Sequence, residues 1–344
     1  SDSPSYEKMQ QIDPIFAKHF NSLGEDEKNE LQEKLDVETE KYYEDLARET
    51  QKTVIHKISI SSGNIEYKVQ GEVPGNVLNQ FSMDEYNGNF RIATTITSDF
   101  RTGATLNNVY VLDGNMNIIG KLENLARTER IYSARFINDR LYLVTFRQID
   151  PLFVIGLSDP TAPKVLGELK IPGVSQYLHP YDENHVIGVG KDAISIDESG
   201  REFALFQGVK ISLFDVSDVS NPKEIAKYNI GDRGTESEVL YDHKAFLFSK
   251  ERSLLVLPVV LAEIEKPQGE QFAYGEYKLS GAYVFELTLE NGFVLKGIVK
   301  HHEKTDEEYY YGPSVRRSTY IDNVLYTLSD KLKMNDLNTL EEQI

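Results

Sequence analysis

A repeated unit of short β-rich segments is the feature that most constrains the fold of this chain. Two segments, a polar turn and two more segments form one unit, and the cycle restarts roughly every 45 to 70 residues. The clearest copies are residues 152–160 and 211–219, which run into the similar turns 161–164 (TAPK) and 220–223 (SNPK). Repeats built from four strands are typical of β-propeller blades. We therefore predict an all-β propeller of four-stranded antiparallel blades.

The strand pattern predicts five blades and a leading half-blade. The hairpin formed by residues 54–60 and 65–69 alternates with period two and matches the third and fourth strands of a blade. The last unit, which runs to Ile344, has the pattern of a complete blade. The first strands of the five blades are predicted at 77–84, 131–137, 175–181, 236–248 and 314–321, and the second strands at 90–97, 140–146, 185–190, 253–260 and 324–328.

The first 50 residues have a different pattern. Leu31, Leu35, Tyr42 and Leu46 recur at spacings of four and seven, which is typical of an amphipathic helix. We predict a helical arm or insertion over residues 1–50 and the propeller over 51–344. The apolar stripe is expected to pack on the propeller wall, and the alternative is an arm that binds a partner or dimerises.

The leading half-blade allows two interpretations. A propeller is stable only when its last blade packs on its first, since otherwise sheet edges and faces stay bare. Five blades could close a small ring with the hairpin at the seam. We favour the other interpretation, in which the chain is the C-terminal part of a larger propeller and the arm is an insertion within a blade. Self-association that completes the propeller is then expected.

Charge and composition exclude several classes of partner. The chain has 55 Asp plus Glu against 37 Lys plus Arg, a formal net charge of -18, which repels nucleic acid and anionic membranes. No apolar run is long enough to insert into a membrane. The absence of cysteine excludes disulfides, thiol nucleophiles and cysteine-ligated zinc. We therefore predict no nucleic-acid partner and no membrane insertion.

Motifs for chemistry are missing, so no catalytic residue is assigned. The sequence contains no Gly-rich phosphate loop, no Gly-x-Ser-x-Gly elbow and no His-Glu-x-x-His motif. The acidic turn at Asp215 and Asp218 is expected to cap backbone amides. His301 and His302 precede an acidic stretch that we interpret as a solvated loop, with a structural divalent cation as the alternative. No cofactor is predicted otherwise.

Position within the blade predicts a set of channel-lining residues, because the first strand of each propeller blade faces the central channel. Buried polar side chains there must pair or bind something. A structural network with Asp242 or Glu238 bridged to an arginine is favoured, ahead of a bound ligand or metal and of His179 or His243 acting as a general base. The candidates are Asn79, Gln80, Arg135, Tyr177, His179, Asp242, His243, Arg316 and Arg317.

Two long loops supply aromatic candidates for binding. Residues 266–277 and 303–313 exceed the length that a hairpin needs, and such insertions often carry binding residues. Tyrosines beside glycine suit recognition of a protein or a glycan. The alternative is that the aromatics cover a blade edge. The face-loop candidates are Phe272, Tyr274, Tyr309, Tyr310 and Tyr311.

Three segments carry a resemblance to a known family. Residues 71–85, 177–184 and 237–246 resemble secreted bacterial and archaeal proteins that have a C-terminal β-propeller domain distantly related to WD repeats. The resemblance covers residues 53–340 and implies export, and thus an extracellular or cell-envelope location. It also implies a longer polypeptide upstream. It implies no activity, since no catalytic residues are assigned to the family.

These observations together predict a non-catalytic binding or scaffolding propeller that is secreted or lies at the cell surface, and that recognises a protein or glycan through its face loops. Two alternatives stay open. One is a hydrolase-type enzyme with its site at the mouth of the channel. The other is a module that completes a larger propeller.

Overall fold

The computed structural model describes residues 6–99, 104–146, 150–198, 201–265, 272–304 and 312–343. Two helices, α1 (Tyr6–Ser22) and α2 (Glu25–Thr50), precede a series of antiparallel sheets. A two-stranded leading sheet comes first, followed by sheets 1 to 5. The leading sheet contains β1 (Lys52–Ser61) and β2 (Asn64–Pro74), and sheet 1 contains β3 (Asn76–Val77), β4 (Met83–Tyr86), β5 (Asn89–Asp99), β6 (Ala104–Leu112) and β7 (Ile118–Leu125).

The remaining sheets repeat the same order along the chain. Sheet 2 contains β8 (Arg130–Ile137), β9 (Arg140–Phe146), β10 (Asp150–Gly156) and β11 (Lys164–Ile171), and sheet 3 contains β12 (Val174–Asp182), β13 (His185–Glu198), β14 (Arg201–Asp215) and β15 (Lys223–Ile230). Sheet 4 contains β16 (Leu247–Ser249), β17 (Leu254–Glu263), β18 (Glu276–Thr288) and β19 (Gly292–Glu303), and sheet 5 contains β20 (Arg317–Ile321), β21 (Val324–Leu328) and β22 (Leu332–Asp336). The predicted all-β architecture of four-stranded antiparallel sheets is confirmed.

Two of the predicted first strands are interrupted. In sheet 1 a 3₁₀ turn at Gln80–Ser82 separates β3 from β4. Before β16, the turns Glu238–Leu240 and His243–Ala245 replace most of the strand predicted at 236–248. Side-chain caps explain both breaks: Asn79 Oδ1 accepts from the backbone N–H of Phe81 at 2.9 Å, and Asp242 Oδ1 accepts from that of Lys244 at 3.0 Å. The prediction of continuous strands was wrong at these two places.

The last unit also differs from the prediction of a complete blade. In the described chain sheet 5 has three strands, and the residues after β22 return to β22 through an isolated bridge between Asn335 and Glu342 instead of a fourth strand. The chain turns at Asp336, whose Oδ1 accepts from the backbone N–H groups of Asn338 at 2.8 Å and Thr339 at 3.0 Å. This turn uses the residues that would have begun a fourth strand.

The core lies between successive sheets rather than inside any one of them. Neighbouring side chains of a strand point to opposite faces, so each inner sheet contributes to two cores. In β13, Val186 packs with Tyr142 of sheet 2, whereas the next residue, Ile187, packs with Leu257 of sheet 4. Burial on both faces explains why the middle strands are nearly continuous apolar runs.

The repeated polar turns hold consecutive blades together. Asp159 and Asp218 cap their own turns, each accepting from a backbone N–H two residues on, at 2.9 and 3.1 Å, which confirms the predicted capping role of Asp218. The tip of each turn lies on a glycine of the preceding sheet. A Cβ added to Gly120 would lie 2.1 Å from the Pro160 carbonyl oxygen, and one added to Gly167 would lie 2.1 Å from that of Val219.

Helix α2 contacts sheet 1 near the helix C-terminus. Ala47 is buried against Ile96 and Leu106, and Arg48 forms an ion pair with Glu123 at 3.1 Å. The expectation that the apolar stripe packs on the propeller wall is wrong at its C-terminal end, since Tyr42 and Leu46 are exposed. Neither helix in the described part of the chain combines the length and apolar character that a membrane span requires.

Candidate functional site

The first strands of the sheets converge on a cavity of about 400 Å³. The 3₁₀ turns described above form part of its wall, because they replace strand at the inner ends of sheets 1 and 4. The lining is Asn79, Gln80, Phe81, Ser133, Ala134, Gln176, Tyr177, Leu178, Val239, Leu240, Tyr241, Asp242, His243 and Lys244. Three sheets and the turns before sheet 4 therefore contribute to one concavity.

Aromatic rings pack together at this cavity. The Phe81 ring lies 4.7 Å from that of His243 and 5.6 Å from that of Tyr177. Behind them the His179 ring lies 4.8 Å from that of Phe246. Rings at these separations contribute favourably beyond the area that they bury. The cluster therefore gives the cavity a rigid apolar side.

Tyr177 and His179 form a buried polar pair within the cluster. The Tyr177 hydroxyl and His179 Nδ1 are hydrogen bonded at 2.9 Å. Burial, with a smaller contribution from the positive charge of Arg135, lowers the pKa of His179 to about 4. Burial also raises the pKa of the Tyr177 phenol. Both groups are therefore neutral at pH 7.

Arg135 brings a positive charge next to the cavity wall, although Arg135 is not itself a lining residue. Its guanidinium lies 4.5 Å over the ring of Phe81, and burial lowers its pKa. Within the described ranges no carboxylate forms an ion pair with Arg135. A partly buried cation that has only ring contacts is a feature that an anionic ligand would satisfy.

The other channel candidates belong to a polar network at the rim. The Gln80 amide donates to His243 Nε2 at 3.3 Å, and Arg317 forms an ion pair with Asp242. The hydrogen bond from the Lys244 backbone N–H and the ion pair with Arg317 hold the pKa of Asp242 below its usual range. Arg316 is exposed. The favoured interpretation of an aspartate bridged to an arginine is thus observed in the Asp242–Arg317 pair.

A second cavity of about 550 Å³ adjoins the first, because Gln176 and Tyr241 line both. Its wall includes Lys191, Arg233 and Tyr274. The Arg233 guanidinium lies 4.1 Å over the Tyr274 ring and donates to the Tyr274 hydroxyl at 3.2 Å. The remaining lining residues are Tyr132, Ala204, Leu205, Phe206, Gln207 and Glu236.

The face-loop candidates are placed only in part. Tyr274 is 68% exposed at the second cavity, and Phe272 is exposed beside it, with its carbonyl accepting from Arg233 at 3.1 Å. Tyr309, Tyr310 and Tyr311 lie outside the described residues. Tyr274 alone among the five therefore lines a described cavity.

The two adjacent histidines lie at the end of strand β19, ahead of the acidic stretch. His301 is buried, with Nδ1 2.7 Å from Ser329 Oγ and Nε2 2.7 Å from Thr327 Oγ1. His302 Nδ1 lies 2.7 Å from the Tyr277 hydroxyl, so the two rings have different partners. Across the described ranges no group of three His, Asp or Glu side chains is arranged to hold a metal ion.

Comparison with known proteins agrees with this architecture. A family model described as a beta propeller domain matches residues 15–340. The chain belongs to the beta propeller domain family. This beta propeller domain is 37% identical over 336 residues to the uncharacterized protein MJ1554 of Methanocaldococcus jannaschii, covering 97% of the chain and 46% of that relative. An uncharacterized protein of Archaeoglobus fulgidus is 43% identical over 237 residues, covering 69% of the chain and 34% of that relative. The chain thus spans less than half the length of either relative.

Several residues of this beta propeller domain's cavities were missed by sequence reasoning. They are Phe81, Gln176, Arg233 and Tyr241; Phe246, in the ring cluster behind the inner cavity, was missed as well. Phe81 and Tyr241 adjoin predicted candidates, and Phe246 belongs to the predicted strand 236–248. An alternation of aromatic residues at 177, 179, 181, 246 and 248 was the available signal. The alternation does not show that these side chains converge, because their convergence depends on contacts between sheets.

Proposed function

We propose that this beta propeller domain is a non-catalytic recognition module whose two adjoining cavities bind an acidic glycan, in a protein that is secreted or held at the cell surface. The observation that carries the proposal is the guanidinium of Arg135, which lies over the ring of Phe81, a residue of the inner cavity wall, with no carboxylate paired to it in the described chain. A carboxylate of the ligand would supply the missing charge.

Shape and chemistry favour a glycan over a protein partner. Concave sites of a few hundred Å³ suit small ligands, whereas protein partners need broad surfaces. The side-chain amides of Asn79, Gln80 and Gln176 lie along the inner cavity and offer donors and acceptors to hydroxyl groups. Tyr241, 75% exposed, and Tyr274, 68% exposed, add aromatic surface to the second cavity. Recognition of a protein through the same face is the second outcome that the test distinguishes.

The titrating groups favour binding over catalysis. A general base works best with a pKa near the operating pH, and the pKa of His179 is lowered to about 4. The hydroxyl that the structure places on His179 is the phenol of Tyr177, whose pKa burial raises, opposite to the activation that a nucleophile requires. A hydrolase at the channel mouth therefore has less support than a recognition site.

The test is a calorimetric titration of the purified chain with hexuronic-acid oligosaccharides and with neutral hexose oligosaccharides of equal length. We expect binding of the acidic set, and at least about tenfold weaker binding after Arg135→Gln, with part of the affinity kept by Arg135→Lys. Tyr274→Ala should also weaken binding. Tyr67→Ala removes an exposed aromatic far from both cavities and should bind like the parent.

Three outcomes would overturn parts of the proposal. Equal binding of neutral and acidic oligosaccharides would show that the ligand needs no acidic group. The absence of an effect of Arg135→Gln, in a variant that keeps the parental melting temperature, would show the same. Binding of poly-glutamate peptide without binding of any oligosaccharide would indicate a protein partner. Shortened oligosaccharides in mass spectra after incubation would mean that the site is catalytic.

A further inference from the structure

The leading sheet carries apolar side chains on both faces. Its inner face packs on sheet 1, where Val73 is buried beside Tyr110. The outer face is exposed in the described chain. Cross-strand pairing of Ile58 with Tyr67 and of Ile60 with Ile65 places these side chains on one surface. The exposed apolar residues of this outer face are Val54, Ile58, Ile60, Ile65 and Tyr67.

Sheet 5, at the other end of the series, also carries apolar side chains on both faces. Its inner face packs on sheet 4, with Leu325 buried beside Val256. Its outer face exposes Ile321, Leu328 and Leu332, and β21 pairs Leu328 directly with Leu332. The series of sheets therefore begins and ends with an exposed apolar face.

In the inner sheets, apolar faces of this kind are buried against neighbouring sheets. Sheet 3 uses both faces in cores, with Val186 and Ile187 buried on opposite sides. Contiguous apolar faces of this kind are rare on monomer surfaces and mark sites of contact. The leading sheet and sheet 5 also carry apolar side chains on both faces. Each therefore has the residue pattern of an inner blade, which packs against a neighbouring blade on both sides.

Strand β1 also lacks a neighbour along its edge. In sheet 3 the corresponding third strand, β14, pairs with β13 on one side and with β15 on the other. In the described chain β1 pairs with β2 alone. Helix α2 leads directly into β1. In a complete sheet, the segment before the third strand is the connection from the second strand. The first and second strands of this blade are therefore the parts to be supplied.

We propose that further four-stranded blades of the same polypeptide, from the region N-terminal to α1, cover both outer faces and pair with β1, so that the leading sheet and sheet 5 belong to one larger ring. The two relatives leave more than half of their length outside the match. One complete sheet occupies only Val174–Ile230, so this length is ample for the missing blades. None of the residues that line the two cavities lies on either outer face.

The absence of cysteine makes a direct test available. Single variants Ile60→Cys, Leu332→Cys and the control Ile118→Cys are made in the 344-residue chain and in the natural full-length polypeptide, and maleimide labelling rates are measured. In the 344-residue chain Ile60 is 76%, Leu332 56% and Ile118 42% exposed, so the first two thiols should label at least as fast as the control. In the full-length polypeptide we expect both to label at least about tenfold slower than the control.

An unchanged order of rates in the full-length polypeptide would overturn the proposal, because both faces would then be bare. Slow labelling in the 344-residue chain that depends on concentration, with doubled mass in light scattering, would overturn it in favour of a second copy as the occupant. Hydrogen exchange checks the strand pairing independently: the β1 amides should exchange slowly in the full-length polypeptide, and fast exchange would show that β1 has no added neighbour.

Discussion

Gln80 and His243, 163 residues apart in the chain, are joined by a hydrogen bond of 3.3 Å at the rim of the inner cavity. Each belongs to a 3₁₀ turn that interrupts an inner strand, one in sheet 1 and one before sheet 4. The side chains that cap these turns, Asn79 and Asp242, keep the strands from continuing past the rim. The contact therefore links two sheets that are not neighbours in the series.

Removing this contact should have a small effect on stability. We expect Gln80→Ala to lower the free energy of unfolding by about 1 kcal/mol, which is the net value of an ordinary hydrogen bond between partly exposed groups. Urea denaturation measures the change. Gln207→Ala is the matched control, because among the described residues its amide donates to the carbonyl of Leu205, two residues away, and to no other sheet. A loss equal to that of the control would show that the link between the sheets does not contribute to stability.

Arg91 should matter far more, because it is 2% exposed and joins sheets 1 and 2. Its guanidinium donates to both carboxylate oxygens of Asp84, at 2.7 and 2.5 Å, and to the carbonyl of Asn138 at 2.6 Å. We expect Arg91→Met to lower the free energy of unfolding by about 3 kcal/mol, since it leaves Asp84 and that carbonyl without their donor. Arg91→Lys should recover little, because an ammonium cannot form the same planar fork.

Chemical denaturation of the Arg91 variants is compared with that of Arg316→Met, which removes an exposed guanidinium. The exposed change should alter the free energy of unfolding by less than about 0.5 kcal/mol. Full rescue by lysine would contradict the importance of the planar geometry, whereas equal effects of the Arg91 and Arg316 substitutions would contradict the role of burial.

The glycines beneath the repeated turns should not tolerate a methyl group. Gly120→Ala and Gly167→Ala would each place a Cβ 2.1 Å from a carbonyl oxygen of the next blade's turn, so backbone must shift. We expect each to lower the free energy of unfolding by about 1 to 3 kcal/mol. Gly114→Ala is the control, since its Cβ would meet only the end of the Lys57 side chain at 4.0 Å. Thermal melts that rank all three alike would rule out the close packing of the turns.

Acid should destabilise the fold through His179. Burial lowers its pKa to about 4 in the folded state from the ordinary 6.5 of histidine, so between these values the unfolded chain binds a proton that the folded chain does not. Stability from this group is thus fully present above pH 6.5 and falls as the pH drops toward 4. The full effect is at most about 3.5 kcal/mol, because a pKa difference of one corresponds to about 1.4 kcal/mol.

His179→Gln removes the titrating group and retains a side chain that can hydrogen bond to Tyr177. We expect the variant to lose less stability than the parent between pH 7 and pH 4.5, as measured by urea denaturation at both values. Identical pH dependence in the two proteins would mean that His179 is as accessible to protons in the folded state as in the unfolded state.

Local patterns were sufficient to predict the strands. Period-two alternation and the polar turns placed β9 and β21 with the same bounds as the structure, since strand character depends on which neighbouring side chains are apolar. The capping role of Asp218 was also predictable, because an Asx side chain acts within two residues of itself. The same kind of cap interrupts two inner strands, and these interruptions were missed. The alternation of apolar and polar residues continues on both sides of each cap, so the pattern indicated an unbroken strand.

The sequence by itself determined the repeat, the antiparallel four-stranded sheets and the hairpin that precedes them, all of which follow from patterns within a few tens of residues. Only the tertiary structure decided that Arg135 lies over Phe81 without a paired carboxylate, that the pKa of His179 falls to about 4, and that Gln80 meets His243. These properties depend on burial and on distances between sheets, which side-chain periodicity does not encode.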